Sequence, residues 1–398
     1  KNNCKFNYKG IWGNTDKKWK IEITLKSNKK LIFQPLEFLK IKKNNEIQNI
    51  EQSTEDKLYK PGLYLQVKSF LNNNYFDMVT LKQQRYNCFN YYYPIANYKY
   101  NFNYLLIGYG NIGYRHLQAI LNCNIKNINI FVIDINMKNI NNKIKGNNIY
   151  YTDDLKMIKE DYFDIVTIAT CSNNRKQILN DIMKYKYFNK IVLEKVVFQK
   201  LDDFVDIYEN KNIFVNSHYN KQFQIDFIDN FKNPKININI DKKWGICCNL
   251  VHLMHYFLFN FPNLDLKLQH FENIQINNSK RNGFKEFNNG KLYNDNLTII
   301  IENDLDYLLN INYIENDKIL NIKLLKNETI EFYYKNNDKI LKKVKNVLYT
   351  STFLMKEYNN LLTNQPTEMF DLKTSYQCHK MFFPLFSKIF NNTIIPIT

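Results

Sequence analysis

The sequence predicts an α/β fold in which a doubly wound parallel sheet is followed by an α+β domain with a mostly antiparallel sheet. Between residues 104 and 215, short apolar runs alternate with segments of helical apolar spacing, which is typical of a parallel sheet with crossover helices. Between residues 297 and 334, strand-like runs follow one another without an intervening helix, which is typical of an antiparallel sheet.

The length and composition are those of a globular protein with two or three domains. The chain has 398 residues, of which 44% are hydrophobic, and no apolar run approaches the roughly 20 residues of a membrane helix. Lys and Arg number 55 against 38 Asp and Glu, but only four of the basic residues are Arg. Asn, Ile, Tyr and Phe are abundant, which is the bias of an AT-rich coding sequence, so we interpret the net charge of +17 as solvated surface. We expect neither a nucleic-acid nor a membrane partner, and a basic nucleic-acid binder is the least favoured alternative.

The seven cysteines are scattered along the chain, at positions 4, 88, 123, 171, 247, 248 and 378. They form no C-x-x-C pair and have no spacing with histidine that suits zinc. The sequence therefore predicts reduced thiols in a cytoplasmic protein and no metal site.

Three of the ten glycines lie within six residues, in the segment G-Y-G-N-I-G that joins a short apolar run to a helical pattern. Gly108 permits a tight turn from strand to helix, and Gly110 lets the backbone approach a pyrophosphate. Gly113 lets the helix pack close to the strand. The N-terminus of that helix offers free N–H groups to phosphates, so we predict that Asn111 and Ile112 also bind the cofactor.

An acidic residue stands where a dinucleotide-binding domain needs one. A second predicted strand, Ile128–Ile133, ends in Asp134, 21 residues after the last of the three glycines. An acid at this place bonds the adenosine ribose and repels a 2′-phosphate, so we expect NAD, with NADP the less favoured cofactor. The alternative is a structural turn that binds no ligand.

Further candidates follow the ends of the later strands, because the carboxyl ends of parallel strands face the ligand in such sheets. The predicted strands are Asp164–Ala169, Lys190–Leu193 and Ile213–Val215, and the helices between them are Asn173–Tyr185 and Lys200–Tyr208. Ala169, Thr170 and Glu194 are therefore predicted cofactor-binding residues. Lys195 and His218 follow strand ends on the same side.

These motifs resemble those of the glucose-fructose oxidoreductase/inositol dehydrogenase (Gfo/Idh/MocA) family. The resemblance rests on G-Y-G-N-I-G-Y-R-H-L, on I-A-T after the third strand and on L-E-K after the next, and it covers about residues 103–398. It implies an NAD(P)-dependent oxidoreductase that transfers a hydride between a nicotinamide and a hydroxyl or ketone of a sugar or nucleotide sugar. R-H-L is typical of members encoded near surface-polysaccharide genes, which points to that biosynthesis.

The resemblance implies Lys195 and His252 as the catalytic residues. In the family, the Lys of an E-K-P motif lies beside the nicotinamide and the substrate hydroxyl; here Val196 replaces the Pro. A second family motif pairs an Asp with a His four residues later on a helix; here the His is His252 and the Asp position is Cys248. An imidazole suits the base, and a Lys ammonium can orient the hydroxyl. A core histidine and a solvated lysine are the structural alternatives.

Two further histidines are weaker candidates. His255 falls where another family Asp often sits, and His218 follows a strand end. The loss of the Pro and the Asp from the two motifs motivates a rival hypothesis, a degenerate, non-catalytic nucleotide-binding or scaffold protein of the same fold.

The segment before the glycine motif resembles a truncated copy of the C-terminal part of the same module. Residues 81–94 resemble residues 372–384, and a Tyr, a Cys and a Pro match between them at a constant offset of 290 residues. Self-similarity at the length of one module indicates tandem duplication. Shared compositional bias is the alternative. In the segment before the glycine motif we predict two paired strands, Trp19–Leu25 and Leu31–Pro35, and two helices, Gly62–Leu71 and Phe76–Tyr92.

We accordingly predict three domains: a truncated α+β domain at 1–95, a dinucleotide-binding Rossmann domain at 103–219, and an α+β substrate and dimerisation domain at 220–398. Family members commonly dimerise through the second-domain sheet, so the resemblance implies a dimer or an intramolecular pseudo-dimer in which residues 1–95 pack on the second module. A chain lacking residues 1–95 that keeps its melting temperature and its mass in solution would contradict the pseudo-dimer.

Overall fold

The computed structural model describes nearly all of the chain after residue 100 and parts of the chain before it. The described residues are 21–25, 29–33, 38–44, 46–58, 63–74, 79–80, 84, 87–88, 92, 101–125, 127–137, 140, 143–146 and 148–398. The chain divides into two compact units, Lys1–Asn97 and Tyr98–Thr398.

The first unit contains a four-stranded antiparallel sheet with its strands in sequence order. Its elements are β1 (Ile21–Thr24), β2 (Lys30–Phe33), β3 (Leu39–Lys43), β4 (Glu46–Asn49), α1 (Thr54–Leu58) and α2 (Leu63–Leu71). The predicted pair of strands and the first predicted helix are confirmed where the chain is described. Most of the helix predicted at Phe76–Tyr92 lies outside the described residues, as do the repeat positions Tyr86 and Pro94.

The second unit begins with a seven-stranded sheet of Rossmann type. Its elements are β5 (Phe102–Ile107), α3 (Asn111–Leu121), β6 (Ile128–Ile133), β7 (Ile149–Thr152), β8 (Tyr162–Ile168), α4 (Ser172–Tyr185), β9 (Tyr187–Leu193) and β10 (Ile213–Val215), with β19 (Phe370–Asp371) from the end of the chain. The strand order is β19-β10-β9-β8-β5-β6-β7, and every pair is parallel except β19 with β10. Six of the seven residues of β8 are buried, because both faces of the sheet are covered.

The helix predicted at Lys200–Tyr208 is wrong. The structure has a 3₁₀ turn at Asp202–Phe204, followed by further turns. Phe204 and Ile207 are the buried apolar residues of this segment, and they are three apart. A 3₁₀ turn places residues three apart on one face just as an α-helix does, so apolar spacing alone could not separate the two.

An eight-stranded, mostly antiparallel sheet forms the other half of this unit, as predicted. Its elements are α5 (Tyr219–Gln222), β11 (Lys235–Asp241), α6 (Ile246–Asn260), β12 (His270–Asn278), β13 (Lys285–Tyr293), β14 (Leu297–Glu302), β15 (Tyr307–Glu315), β16 (Lys318–Leu325), β17 (Thr329–Asn336), β18 (Lys339–Asn346), α7 (Thr350–Leu362) and α8 (Leu372–Phe390). The strand order is β12-β13-β14-β11-β15-β16-β17-β18, and only β11 with β14 is parallel. Burial alternates along β14, and the buried face packs against α6 and α8.

Helix α7 follows the antiparallel sheet along the chain and packs on the Rossmann half of this unit. Leu354, Tyr358 and Leu361 of α7 pack with Leu117 and Ile120 of α3 in one apolar core. The helix that follows the glycine turn is therefore covered by an element from the end of the chain. Across the described ranges, none of the helices has both the length and the apolar character needed to cross a bilayer.

Candidate functional site

The glycine turn lies at the carboxyl end of β5, in the centre of the parallel sheet. Gly108 has φ +93°, and its N–H donates to the Ile133 carbonyl at 2.8 Å. A Cβ on Gly113 would lie 2.0 Å from the Gly108 oxygen, so α3 packs on the turn more closely than any side chain permits. The geometry is that of the tight turn and close helix contact expected from the sequence.

Gly110 lies in open space. A Cβ there would meet no atom within 4 Å, and its φ of −74° is open to any residue. As the N-cap residue of α3 it supplies no side-chain acceptor to the N–H groups of the first helical turn, where Asn111 and Ile112 lie. Uncapped N–H groups beside open space are what an anion such as a phosphate requires.

Asp134 lies beside this turn, at the end of β6. Its Oδ2 accepts the Tyr109 N–H at 2.7 Å, and its Oδ1 accepts the Asn136 N–H at 2.8 Å. A carboxylate can accept about four hydrogen bonds, so both oxygens retain capacity for a ribose hydroxyl.

Ala169 and Thr170 form the opposite wall of the glycine turn. A Cβ on Gly108 would lie 2.9 Å from the Ala169 carbonyl carbon and 2.9 Å from the Thr170 nitrogen. The Thr170 hydroxyl is buried and has no hydrogen-bond partner in the described part of the chain. A buried hydroxyl without a partner is costly, so this group is a candidate to bind a ligand.

Glu194 is held by protein groups on its Oε1 oxygen. His116 Nε2 lies 2.7 Å from Oε1, and Asn216 Nδ2 donates to it at 2.6 Å. His116 Nδ1 in turn lies 2.5 Å from the Tyr358 hydroxyl. Burial acts to raise the pKa of Glu194, but the hydrogen bonds of His116 and Asn216, with the charges of His116 and Lys195, outweigh it and lower the pKa. Glu194 therefore stays ionised at pH 7.

The loop from Glu194 to Val197 is fixed by Arg175. The Lys195–Val196 peptide is cis. The Arg175 guanidinium, 1% exposed, donates from Nη1 to the carbonyls of Glu194 at 2.7 Å and Val197 at 2.9 Å. It also bonds the carbonyls of Val196 and Thr170. Burial lowers the pKa of Arg175 to about 10, so it remains a cation at pH 7.

Lys195 reaches from this loop to the first turn of α6. Its Nζ donates to Asn249 Oδ1 at 2.8 Å, to the Cys248 carbonyl at 3.2 Å and to Cys248 Sγ at 3.4 Å. His252 lies one turn further along the same helix. The ammonium group is thus anchored where the family motif would place its Asp.

His252 is buried between three side chains. Its Nδ1 lies 2.7 Å from Ser217 Oγ, its ring stacks on Tyr219 at 4.5 Å, and the His218 ring centre is 5.6 Å away. Burial, followed by the charges of Lys195, His218 and His255, lowers the pKa of His252 well below its ordinary value. The imidazole is therefore neutral at pH 7 and keeps one ring nitrogen as a proton acceptor.

Of the two weaker candidates, only His218 lies in this cluster. Burial lowers the pKa of His218 to about 4, with Lys195 acting in the same direction. His255 stacks on Phe370 at 4.2 Å, and neither of its ring nitrogens has a partner among the described residues. We call Lys195, Ser217, His218, Cys248, Asn249 and His252 the Lys195 site.

Glu286 of β13 adjoins the Lys195 site. Its Oε1 accepts the Cys247 N–H at 2.6 Å and the N–H of the next residue, Phe287, at 3.1 Å. Burial raises the pKa of Glu286, while these N–H groups, a hydrogen bond with the Cys247 side chain and the Lys195 charge oppose that rise. Within the described ranges, no three metal-ligating side chains converge.

Comparison with known proteins bears on both sheets. Residues 102–215 match the family model GFO_IDH_MocA, described as "Oxidoreductase family, NAD-binding Rossmann fold". Similar solved structures include KijD10, a 3-ketoreductase from Actinomadura kijaniata in complex with TDP-benzene and NADP (10% identity, 71% of this chain and 96% of that chain, TM-score 0.52). The chain has the Gfo/Idh/MocA fold.

Two other structures share the Gfo/Idh/MocA fold with this chain. An oxidoreductase from Agrobacterium radiobacter in complex with NAD+, L-tartaric acid and magnesium is 13% identical, with 71% of this chain and 94% of that chain covered and a TM-score of 0.50. A super-repressor mutant of Gal80p from Saccharomyces cerevisiae is 12% identical, with 74% and 97% covered and a TM-score of 0.53. A search of curated proteins found no match.

The Gfo/Idh/MocA family match includes the glycine turn, Asp134, Glu194 and Lys195, but it ends before His252. The grouping of His252 with Lys195 is a result of the tertiary structure. Sequence reasoning missed Arg175 and Glu286. Arg175 had a weak signal, as one of four arginines, whereas Glu286 lies on a strand whose approach to α6 no local pattern indicates.

Proposed function

We propose that this chain is an NAD-dependent oxidoreductase that transfers a hydride between a nicotinamide and a hydroxyl or ketone of a sugar or nucleotide sugar. The observation that carries the proposal is the contact of Lys195 with the first turn of α6, because the same helix bears His252 one turn further along. Lys195 follows a strand end at the same edge of the parallel sheet as the glycine turn. The match of residues 102–215 to an NAD-binding oxidoreductase family supports the reaction class. The description of KijD10 as a 3-ketoreductase in complex with TDP-benzene and NADP supports a substrate that carries a nucleoside diphosphate.

The residues at the sheet edge fit a dinucleotide. The open space at Gly110 and the uncapped start of α3 would hold the pyrophosphate. Asp134 would bond the adenosine ribose, which favours NAD over NADP. The Thr170 nitrogen lies against Gly108 across the turn, and the unpartnered Thr170 hydroxyl would bond the cofactor.

The side chains of the Lys195 site would move the proton of the substrate hydroxyl. NAD, when bound, accepts the hydride at its nicotinamide ring. If Nδ1–H of His252 donates to Ser217, Nε2 keeps a lone pair and accepts the hydroxyl proton. The Lys195 ammonium donates to the hydroxyl oxygen and stabilises the charge that develops there. The contact to Cys248 Sγ, at 3.4 Å the longest of its three, is the one Lys195 would exchange for substrate.

A non-catalytic nucleotide-binding or scaffold protein is the second candidate function. The observation that favours it is that the three contacts of Lys195 are all with Cys248 and Asn249, at the place where the family motif has a carboxylate. The fold alone does not decide between an oxidoreductase and a non-catalytic protein, because both a 3-ketoreductase and Gal80p have this fold. NADH binding without turnover of any sugar, unchanged in Lys195→Ala, would support this candidate.

Titration with NADH and NADPH, followed by nicotinamide fluorescence, tests the cofactor half. We expect saturable NADH binding, weaker NADPH binding, and a shift of about fivefold or more toward NADPH in Asp134→Ala, because a carboxylate near a phosphate costs about 1 kcal/mol or more. Asp161→Ala is the matched control, since its 80% exposed side chain precedes β8 at the opposite edge of the sheet. Binding of neither nucleotide would mean that the glycine turn is structural and would favour the scaffold.

We also propose that residues 1–95 are the C-terminal part of a second copy of the same module. Adding 291 to the residue numbers of the first three strands places each of them inside a strand of the second sheet. The shifted ranges are 312–315 for β1, 321–324 for β2 and 330–334 for β3, and they lie inside β15, β16 and β17 respectively. With the same displacement α2 falls at 354–362 and ends where α7 ends. The proposal predicts a helix over 81–92, the counterpart of α8, and non-helical NMR chemical shifts there would contradict it.

A further inference from the structure

The Lys195 site has no carboxylate on α6. Cys248 stands four residues before His252, and the acceptors that Lys195 contacts are an amide oxygen, a backbone carbonyl and a thiol. The hydroxyl-rich substrate of the proposed function would bring several donors into this site, and its neutral histidine can accept one of them. A carboxylate accepts hydroxyl hydrogens more strongly than neutral groups do.

Glu286 brings a carboxylate to the same turn of α6 from a different element. Its Oε1 is fixed by the Cys247 N–H at 2.6 Å, in the first turn of the helix. The Phe287 N–H also donates to Oε1, and the Cys247 side chain hydrogen-bonds the carboxylate as well, so protein groups make three of the about four hydrogen bonds that a carboxylate can accept. Oε1 is thus held by the first turn of the helix, and the carboxylate keeps capacity for one more donor.

Oε2 lies on the side of Gly245 and Asn249. A Cβ on Gly245 would lie 3.3 Å from Glu286 Oε2 and 3.9 Å from Asn249 Nδ2, so the absent side chain leaves Oε2 uncovered on this side. Asn249 is the residue that Lys195 contacts at 2.8 Å, and the Lys195 charge acts on Glu286. Glu286 and Lys195 therefore approach one turn of α6 from two sides.

We propose that Glu286 Oε2 binds a hydroxyl group of the substrate in the Lys195 site and so supplies from β13 the carboxylate that α6 lacks at Cys248. This inference rests on the proposed function. It also narrows the substrate class, because a carboxylate repels an anion: the group bound here is an uncharged hydroxyl or an amine, and any phosphate of the substrate lies elsewhere.

Glu286→Gln separates substrate binding from a purely structural role. The Gln amide oxygen can still accept the Cys247 N–H, so the start of α6 and the melting temperature are preserved. We expect the Kd for NADH to stay within about twofold and KM to rise about tenfold or more, with a smaller change in kcat, since a hydrogen bond to a charged group is lost. The assay follows NADH formation from NAD+ with UDP-galactose and UDP-N-acetylglucosamine. Glu331→Gln, at an exposed position of β17, is the control with the same change of charge.

Titration of the Glu286 carboxyl, followed by 13C NMR, tests the placement without a substrate. The Lys195 charge opposes the burial that raises the pKa of Glu286, so we expect that pKa to rise further in Lys195→Met and to stay unchanged in Lys176→Met. An unchanged Glu286 pKa in Lys195→Met, or an unchanged KM in Glu286→Gln, overturns the inference. A wild-type chain that binds no NADH contradicts the proposed function instead, and the Glu286 pKa then decides the placement of Glu286 alone.

Discussion

Gly110 and Gly113 lie on the same turn, and replacing each by Ala separates ligand binding from chain packing. An Ala side chain at Gly110 meets no atom within 4 Å and its φ of −74° is unstrained. At Gly113 the new Cβ would lie 2.0 Å from the Gly108 oxygen, a contact that must lengthen by about 1 Å before it is tolerable. We therefore expect Gly110→Ala to change the free energy of unfolding by less than about 1 kcal/mol, and Gly113→Ala to lower it by about 1–3 kcal/mol.

Gly113→Ala should mainly lower the free energy of unfolding, whereas Gly110→Ala should mainly weaken cofactor binding. In Gly110→Ala a methyl group enters the space beside the first N–H groups of α3, so the Kd for NADH should rise at least about tenfold, or about 1.4 kcal/mol, in a fold of unchanged stability. Urea unfolding measures the stability and nicotinamide fluorescence the Kd. A Gly110→Ala chain that binds NADH as tightly as the wild type would refute the assignment of this turn to the pyrophosphate.

Two further substitutions test buried polar groups. His255→Phe keeps the stack on Phe370 and removes two buried nitrogens without partners among the described residues, so it should stabilise the chain by about 1 kcal/mol at pH 7. Because burial holds the pKa of His255 well below 6.5, only the unfolded chain gains its proton below that pH, and stability falls there by roughly 1.4 kcal/mol per pH unit. Urea unfolding at pH 7 and pH 5.5 should show a smaller loss in His255→Phe, and an equal loss would contradict the reasoning. Arg175→Met removes the donors to four backbone carbonyls and should lower the free energy of unfolding by about 3–5 kcal/mol. The control Lys176→Met should lower it by less than about 1 kcal/mol. A similar loss of stability in both variants would show that the buried guanidinium does not hold the loop.

Much of the fold could be predicted because its signals are local. The glycine turn, β6 and Asp134 follow one another within about thirty residues, and a parallel strand that is buried on both faces is apolar throughout. The four strands from β14 to β17 were predicted because they follow one another along the chain as consecutive strand-like runs. The 3₁₀ turn at Asp202–Phe204 was not, because its two buried residues satisfy helical spacing as well.

The sequence by itself determined the half of the site that is built from contiguous chain: the turn at Gly108, the open position at Gly110 and the acid at the end of the next strand. Only the tertiary structure decided the other half. Lys195 meets Cys248 across 53 residues, His116 meets Glu194 across 78, and Glu286 meets Cys247 across 39. Each of these contacts joins two elements whose approach is set by the packing of apolar faces, and local periodicity records only that an element has such a face. Which polar residues that packing brings together depends on the whole core.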